Sequence, residues 1–181
     1  MRTREDVLTD LVVTGAQAGD QRSFTLLYRQ WNPVLIRYAA RLTRDMAAPA
    51  DIMQESWIAI AKGLGRLSDT SKFKSWSYQI VSNKCRDWIR VEQSRRRLHE
   101  SEALSEVQPN TEAMQNPVSI IKTALQDLPD DQRTILTLFY LEELGVHMIG
   151  VILNIPDGTV KSRLYHARKT LRGVLEKRKD E

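Results

Sequence analysis

A run of basic and hydrogen-bonding residues near the C-terminus is the segment best suited to chemistry. Between residues 159 and 172 there are five Lys or Arg residues and no Asp or Glu. Lys and Arg neutralise DNA phosphates, and the first turns of a helix in the major groove can read base edges. The residues expected to contact DNA here are Thr159, Lys161, Ser162, Arg163, His166, Arg168 and Lys169.

The same segment has the pattern of a helix-turn-helix from Leu144 to Arg172. Its second helix carries one apolar stripe, at Val160, Leu164, Ala167, Leu171 and Val174. Before it lies a short apolar helix that ends at Asn154-Ile155-Pro156, and Asn tolerates the left-handed backbone of a tight turn. The alternative is a solvated basic helix on an ordinary bundle, which explains the charge but not the turn.

A second polar surface is expected on a long helix from about Phe73 to Arg97. Asn83, Asp87 and Arg90 follow helical spacing on a helix whose other two stripes are apolar. These three polar residues could contact a ligand. Alternatively, Asp87 could pair with Arg90 one turn away in an internal network.

A third candidate is the group Asp51, Gln54 and Glu55. The two carboxylates, at i and i+4, could in principle bind a metal or transfer a proton. No His or further carboxylate lies at ligand spacing, so a cofactor-free site is predicted. Exposed acids in the first turn of a helix are the simplest interpretation of the residues alone.

Apolar residues recur at helical spacing almost throughout, which predicts an all-α protein. Pro33 is expected to start or kink a helix rather than lie inside one. The four Trp residues and the single Cys85 fall on or near apolar stripes and are predicted to be core residues. One cysteine, no apolar run of membrane-spanning length and no signal peptide indicate a cytoplasmic protein without membrane insertion.

The composition changes between Leu98 and Ile121, which contains four Glu and no Lys or Arg. This indicates two small helical domains, residues 1–97 and 120–181, joined by an acidic flexible linker at 98–119. The net charge of the whole chain is only +4, so the distribution of charge carries more information than its total.

Two blocks, about Gly19 to Arg97 and Ile121 to Arg172, together resemble the extracytoplasmic-function sigma factors of the sigma-70 family. The first block contains Gly19-Asp20, the string Asp51-Ile52-Met53-Gln54-Glu55 and Phe73-Lys74-Ser75-Trp76. The second contains Leu128-Pro129 and the string from Ile155-Pro156 to Arg163-Leu164, which is highly specific in combination with the first block.

The resemblance implies a non-enzymatic transcription initiation factor that gives core RNA polymerase its promoter specificity. By resemblance, Asp51, Gln54 and Glu55 dock on the clamp helices, and the flap of the large subunits is a second contact. The minus-ten DNA and its melted non-template strand would contact the loop from Gly65 to Lys72 and the residues Lys72, Lys74, Asn83, Arg86, Asp87 and Arg90. The residues of the C-terminal helix would read the minus-thirty-five duplex. The resemblance also implies an anti-sigma partner and association with the nucleoid.

The first helix of the helix-turn-helix departs from the family pattern. Gly145, His147 and Met148 stand where the family commonly has a Ser cap and two Glu, and Val151 replaces another common Glu. Gly150 stands where Ala is usual, at a cost of about 1 kcal/mol in helix propensity. We hypothesise that a partner, either polymerase or an anti-sigma factor, covers this apolar surface. Drift on a tolerant helix is the alternative.

Two other classes of protein compete with a sigma factor. A regulator with a sensor domain explains the C-terminal half but not Asp51 to Glu55 or the helix from Phe73 to Arg97. A hydrolase or nuclease would need a nucleophile–base pair or a metal constellation, and the sequence contains neither pattern.

Overall fold

A computed structural model describes residues 4–45, 47–99 and 117–178, without the side chains of residues 5, 98, 99, 117–120 and 122. All regular structure in these residues is helical, which confirms the predicted all-α fold. The α-helices are α1 Arg4–Gln17, α2 Gln21–Thr43, α3 Ala48–Gly63, α4 Phe73–His99, α5 Pro117–Gln126, α6 Asp130–Leu136, α7 Val146–Leu153 and α8 Asp157–Lys177.

The chain divides into two compact units. The first contains Met1–Trp88 and Val151–Asn154, and the second contains Ile89–Gly150 and Ile155–Glu181. This division falls within α4, between Trp88 and Ile89. Helix α4 continues to His99 and α5 begins at Pro117, so helix extends into both ends of the predicted linker. Residues 100–116 of that linker lie outside the described residues.

Helix α2 begins at a well-formed cap. The Asp20 carboxylate accepts hydrogen bonds from the backbone N–H groups of Arg22 and Ser23, at 3.1 and 3.0 Å. Its hydrogen bond from the Ser23 hydroxyl is the largest influence that lowers the pKa of Asp20 below the ordinary value of 3.8, and the two backbone bonds act in the same direction. The cap therefore favours the ionised carboxylate.

The prediction for Pro33 is wrong, because Pro33 lies inside α2, which runs unbroken from Gln21 to Thr43. A proline in a helix interior removes one backbone hydrogen bond and leaves the carbonyl four residues earlier, that of Arg29, without it. Both residues are on the exposed side of α2, where water can hydrate that carbonyl. The buried residues of the same helix, including Trp31, Leu35 and Tyr38, continue the core face across Pro33.

The core of the first unit is built around aromatic contacts between α2 and α4. The Trp31 and Phe73 rings meet edge to face, and so do those of Tyr38 and Tyr78. The Tyr38 hydroxyl lies 2.7 Å from the Ser82 hydroxyl, so its polar end is satisfied inside the core. Trp31, Trp57 and Cys85 are buried as predicted, whereas Trp76 and Trp88 are half-buried.

In the second unit, α5 and α6 pack against α8. The most unusual core member is Arg133, whose side chain is 1% exposed. It forms an ion pair with Asp130, one turn earlier, and its Nη1 donates to the backbone carbonyl of Leu128 at 3.3 Å. This buried cation ties the start of α6 to the turn that precedes it.

Candidate nucleic-acid interface

The exposed face of α8 carries the residues predicted to contact DNA. Of the apolar stripe predicted from the sequence, Val160, Leu164 and Ala167 are buried, and Leu171 and Val174 are half-buried. On the opposite side, Thr159 is half-buried and the other six predicted residues are exposed, namely Lys161, Ser162, Arg163, His166, Arg168 and Lys169. Helix α8 therefore presents basic and hydrogen-bonding groups along one open face.

A tight turn sets the start of α8. Asn154 has a φ of 54°, the left-handed conformation predicted for it. The backbone N–H of Ile155 donates to the carbonyl of Gly150 at 2.9 Å, which closes the end of α7. The Pro156 carbonyl then accepts the N–H groups of Thr159 and Val160 and begins the new helix. The direction of α8 is thus fixed by backbone bonds on both sides of the turn.

Gly150 lies at a close approach between the two helices of this motif. A Cβ at this position would lie 2.8 Å from the backbone oxygen of Ile155 and 3.0 Å from Oδ1 of Asp157. The other carboxylate oxygen of Asp157 lies 3.4 Å from Nδ1 of His147. The replacement of the usual Ala by Gly thus leaves room for the first turn of α8 to lie close to α7.

Arg168 is less free to contact DNA than the sequence predicts. Its Nε donates to the carbonyl of Leu164 at 3.1 Å, and its Nη1 lies 3.5 Å from the hydroxyl of Tyr140. Sequence reasoning did not single out Tyr165, which is 63% exposed on α8 with its ring against that of His166. Its position outside the apolar stripe was the sequence feature that could have indicated an exposed aromatic residue.

The polar face of α4 is exposed at Asn83, Arg86, Asp87 and Arg90. The internal pairing considered for Asp87 and Arg90 is not among the ion pairs of the described residues. Arg86 instead donates from Nη1 to Oδ1 of Asn83 at 2.9 Å. This orients the Asn83 amide and leaves a mixed donor and acceptor surface facing solvent.

The segment between α3 and α4, residues 64–72, is called the strap below. It contains two short 3₁₀ turns, Leu64–Arg66 and Thr70–Lys72. The hydrogen bond from the Ser71 hydroxyl is the largest influence that lowers the pKa of Asp69, and the neighbouring Lys72, 3.7 Å away, adds to it. Lys72 is exposed, and Lys74 at the start of α4 is half-buried.

The three residues predicted to dock on polymerase, Asp51, Gln54 and Glu55, are exposed together on α3. Gln54 borders an open groove of about 520 Å³ between α2 and α3, lined mainly by apolar side chains that include Met53 and Trp57. Glu55 forms an ion pair with Lys84 of α4, with Oε2 and Nζ 2.8 Å apart. An acidic edge thus lies beside an apolar groove, which suits an amphipathic basic partner.

Within the described residues, no group of three or more His, Cys, Asp or Glu side chains is placed to hold a metal ion. Nor does any helix among those residues combine the length and hydropathy that a membrane span requires.

Comparisons with known proteins give matches along both halves of the chain. The sequence model of the family described as Sigma-70 region 2 matches residues 27–95, and that of Sigma-70, region 4 matches residues 119–171. The chain is 30% identical to the ECF RNA polymerase sigma factor SigW of Bacillus subtilis, over 87% of this chain and 91% of that one. It is 28% identical to the RNA polymerase sigma-H factor of Pseudomonas aeruginosa, over 91% and 92% of the two chains.

Two solved structures have the same fold. One is the sigma factor RpoE in complex with the anti-sigma factor NepR from Bartonella quintana, with a TM-score of 0.71, 20% identity and coverage of 86% of this chain and 98% of that one. The other is CnrH in complex with the cytosolic domain of CnrY, with a TM-score of 0.71, 19% identity and coverage of 93% and 97%.

Two sigma-70 regions in this order define a transcription initiation factor that directs RNA polymerase to promoters. The chain belongs to the extracytoplasmic-function sigma factors of the sigma-70 family, and the resemblance seen in its sequence is confirmed.

Proposed function

We propose that this sigma factor divides promoter recognition between two exposed faces, α8 for the minus-thirty-five duplex and α4 with the strap for the minus-ten DNA. The observation that carries the proposal is the acid-free run of α8, in which Val160, Leu164 and Ala167 are buried and the basic residues face solvent. Such a surface provides phosphate affinity along its length and base readout at its first turns.

On α8, Thr159, Lys161, Ser162 and Arg163 lie in the first two turns, so we assign them to base edges and the nearest phosphates. His166 and Lys169 lie further along and are assigned to the flanking backbone. Arg168 is assigned a smaller contribution to DNA binding, because its Nε donates a hydrogen bond to the Leu164 carbonyl.

For the minus-ten DNA, we assign Lys72, Lys74, Asn83, Arg86, Asp87 and Arg90 to the region where the strands separate. Capture of a melted strand requires polar groups for unstacked bases and cations for the backbone. The exposed face of α4 offers both kinds of group, with Asn83 oriented by Arg86. The two-domain arrangement, 1–97 and 120–181 joined by a linker at 98–119, would let the two faces follow separate promoter elements.

For polymerase, we assign Asp51, Gln54, Glu55 and the groove between α2 and α3 to the clamp helices. Glu55 needs a specific test because its ion pair with Lys84 is an alternative reason for an acid at this position. If Glu55 docks, Glu55→Ala lowers the affinity for core polymerase and Lys84→Ala does not. If the acid serves only the pair, both variants leave core affinity unchanged, with losses of stability of about 1 kcal/mol or less.

An anti-sigma factor is proposed as a further partner, since the sigma factor RpoE, which has the same fold, is in complex with the anti-sigma factor NepR. The apolar α7 is one candidate surface, where Val151 is 45% exposed while Ile149 and Ile152 are buried. Val151→Glu should weaken binding of a partner, polymerase or anti-sigma factor, without unfolding the chain. Unchanged affinity for both would remove α7 from the proposal.

The decisive experiment is run-off transcription with purified core polymerase and a randomised promoter library. A sigma factor that acts as proposed gives specific product and enriches one pair of promoter elements without another sigma factor. Product that requires a second sigma factor would indicate a regulator instead, and turnover of a substrate by the chain alone would contradict a non-enzymatic role. Imaging of the tagged chain in cells would test the proposed cytoplasmic and nucleoid location.

A further inference from the structure

The described residues of α1, Arg4–Gln17, lie outside both segments matched by the family models, which begin at residues 27 and 119. Helix α1 packs against α2 and also contacts both 3₁₀ turns of the strap. The contact of α1 with the strap is therefore a feature that the family matches do not explain.

The main polar contact between α1 and the strap is made by Gln17, the last residue of the helix. Its Nε2 donates to the backbone carbonyls of Leu64 and Leu67, at 2.8 Å each. Both bonds are partly buried, and they span 47 and 50 residues of sequence. One amide thus uses both of its N–H groups on the two ends of the first 3₁₀ turn.

The two carbonyls that Gln17 binds belong to one local unit. The N–H of Leu67 donates to the carbonyl of Leu64 at 3.1 Å, so Gln17 binds both ends of the same turn. Gly65, Arg66 and Ser68 remain exposed. Gln17 therefore fixes the backbone of this turn while these three residues stay accessible to solvent.

We propose that Gln17 is a positioning residue that presets the strap for the melted non-template strand. This inference rests on the proposed role of the strap in binding that strand. A preformed strap does not have to be ordered when DNA binds, so the free-energy cost of ordering it does not oppose binding. Without the two bonds, the strap must order at the moment of binding.

The test uses the full-length chain with core polymerase. Gln17→Met keeps the length of the side chain and its helix propensity but removes both donors. Gln17→Glu keeps the shape but places carboxylate oxygens against two carbonyl oxygens, so it should be the more damaging variant. Gln30→Met is the matched control, because Gln30 also donates a hydrogen bond to another helix, to the Thr9 hydroxyl at 3.3 Å rather than to the strap.

Three quantities are measured for each variant. These are hydrogen exchange of the Leu67 amide, core affinity, and holoenzyme affinity for a non-template oligonucleotide taken from the selected promoter. For Gln17→Met we expect about tenfold faster exchange at Leu67 and about tenfold weaker strand binding, or 1.4 kcal/mol. Core affinity should not change. Gln30→Met should leave all three quantities unchanged.

The direct variant Arg66→Ala/Lys72→Ala separates the inference from the proposed function on which it rests. If the double variant weakens strand binding but Gln17→Met does not, the positioning role of Gln17 is refuted and the role of the strap stands. If neither weakens it, the role of the strap itself fails. Weaker strand binding by Gln17→Met without faster exchange at Leu67 would also overturn the inference, because the effect would not pass through the strap.

Discussion

Replacement of Gly150 by alanine tests whether the corner between α7 and α8 is as close as the structure places it. Helix propensity alone predicts that Gly150→Ala stabilises the second unit, because alanine is about 1 kcal/mol more favourable than glycine inside a helix. The close contacts of the added methyl group predict a loss of stability instead. The new Cβ would lie 2.8 Å from the Ile155 carbonyl oxygen, a backbone atom held by the turn, and 3.0 Å from Oδ1 of Asp157.

The two effects can be compared in size. Forcing a methyl group into a filled site typically costs about 1–3 kcal/mol. The expected net result for Gly150→Ala is therefore a destabilisation of the second unit by about 1 kcal/mol. A chain with alanine here needs a slightly wider corner, which would turn the first residues of α8 and also weaken binding to the minus-thirty-five duplex.

Gly173→Ala provides the matched control. Gly173 also lies inside α8, but a Cβ there would have nothing within 4 Å. This variant should stabilise the second unit by up to about 1 kcal/mol. Native-state hydrogen exchange at amides of α8 reports the unfolding of this unit, and a fluorescent duplex from the selected promoter reports DNA affinity. Equal stabilisation by both substitutions, with unchanged DNA affinity, would refute the close approach.

Three further predictions concern single residues. Asp130→Ala should destabilise the second unit by about 2 kcal/mol in hydrogen exchange, because it removes the ion pair that Asp130 forms with the buried Arg133 guanidinium, whereas the exposed Asp131→Ala should change the stability by less than about 0.5 kcal/mol. Lys169→Ala should weaken duplex binding equally across sequences, and it should reduce the slope of log affinity against log salt concentration by about one. A loss of affinity confined to particular sequences would contradict a phosphate role. Because the pKa of Asp20 is lowered on folding, its ionised cap stabilises α2 above about pH 4, and this advantage is lost as the pH falls. Asp20→Asn keeps a capping group without that titration, so the wild-type chain should lose stability faster than the variant between pH 5 and pH 2.5 in thermal melts.

Local patterns predicted much of the fold correctly. The 3.6-residue spacing identified the stripe of α8, and the left-handed tolerance of Asn identified the turn at Asn154. The pattern misled at Pro33 because the rule for proline counts a lost hydrogen bond, whereas the exposed side of α2 lets water replace it. Whether that side faces water is a tertiary property that the proline alone does not reveal.

The contacts that position the candidate sites could not be predicted in the same way. Gln17 reaches carbonyls about 50 residues away, and Glu55 pairs with a lysine 29 residues further along the chain. Nothing in the local sequence marks these partners. Arg133 shows the same limit, because its neighbours in sequence do not indicate that its side chain, on a helix that packs against α8, is only 1% exposed.

The placement of tryptophan and cysteine has a practical consequence for spectroscopy. All four tryptophans lie between residues 31 and 88, and the single cysteine, the buried Cys85, lies among them. All five belong to the first unit. Tryptophan fluorescence, excited at a wavelength that tyrosine does not absorb, and thiol labelling therefore observe the first unit alone. With a slow labelling reagent, the labelling rate of Cys85 reports the equilibrium between the closed and open forms of that unit. The unmodified chain thus carries its own reporters for following the unfolding of one unit while the other is perturbed.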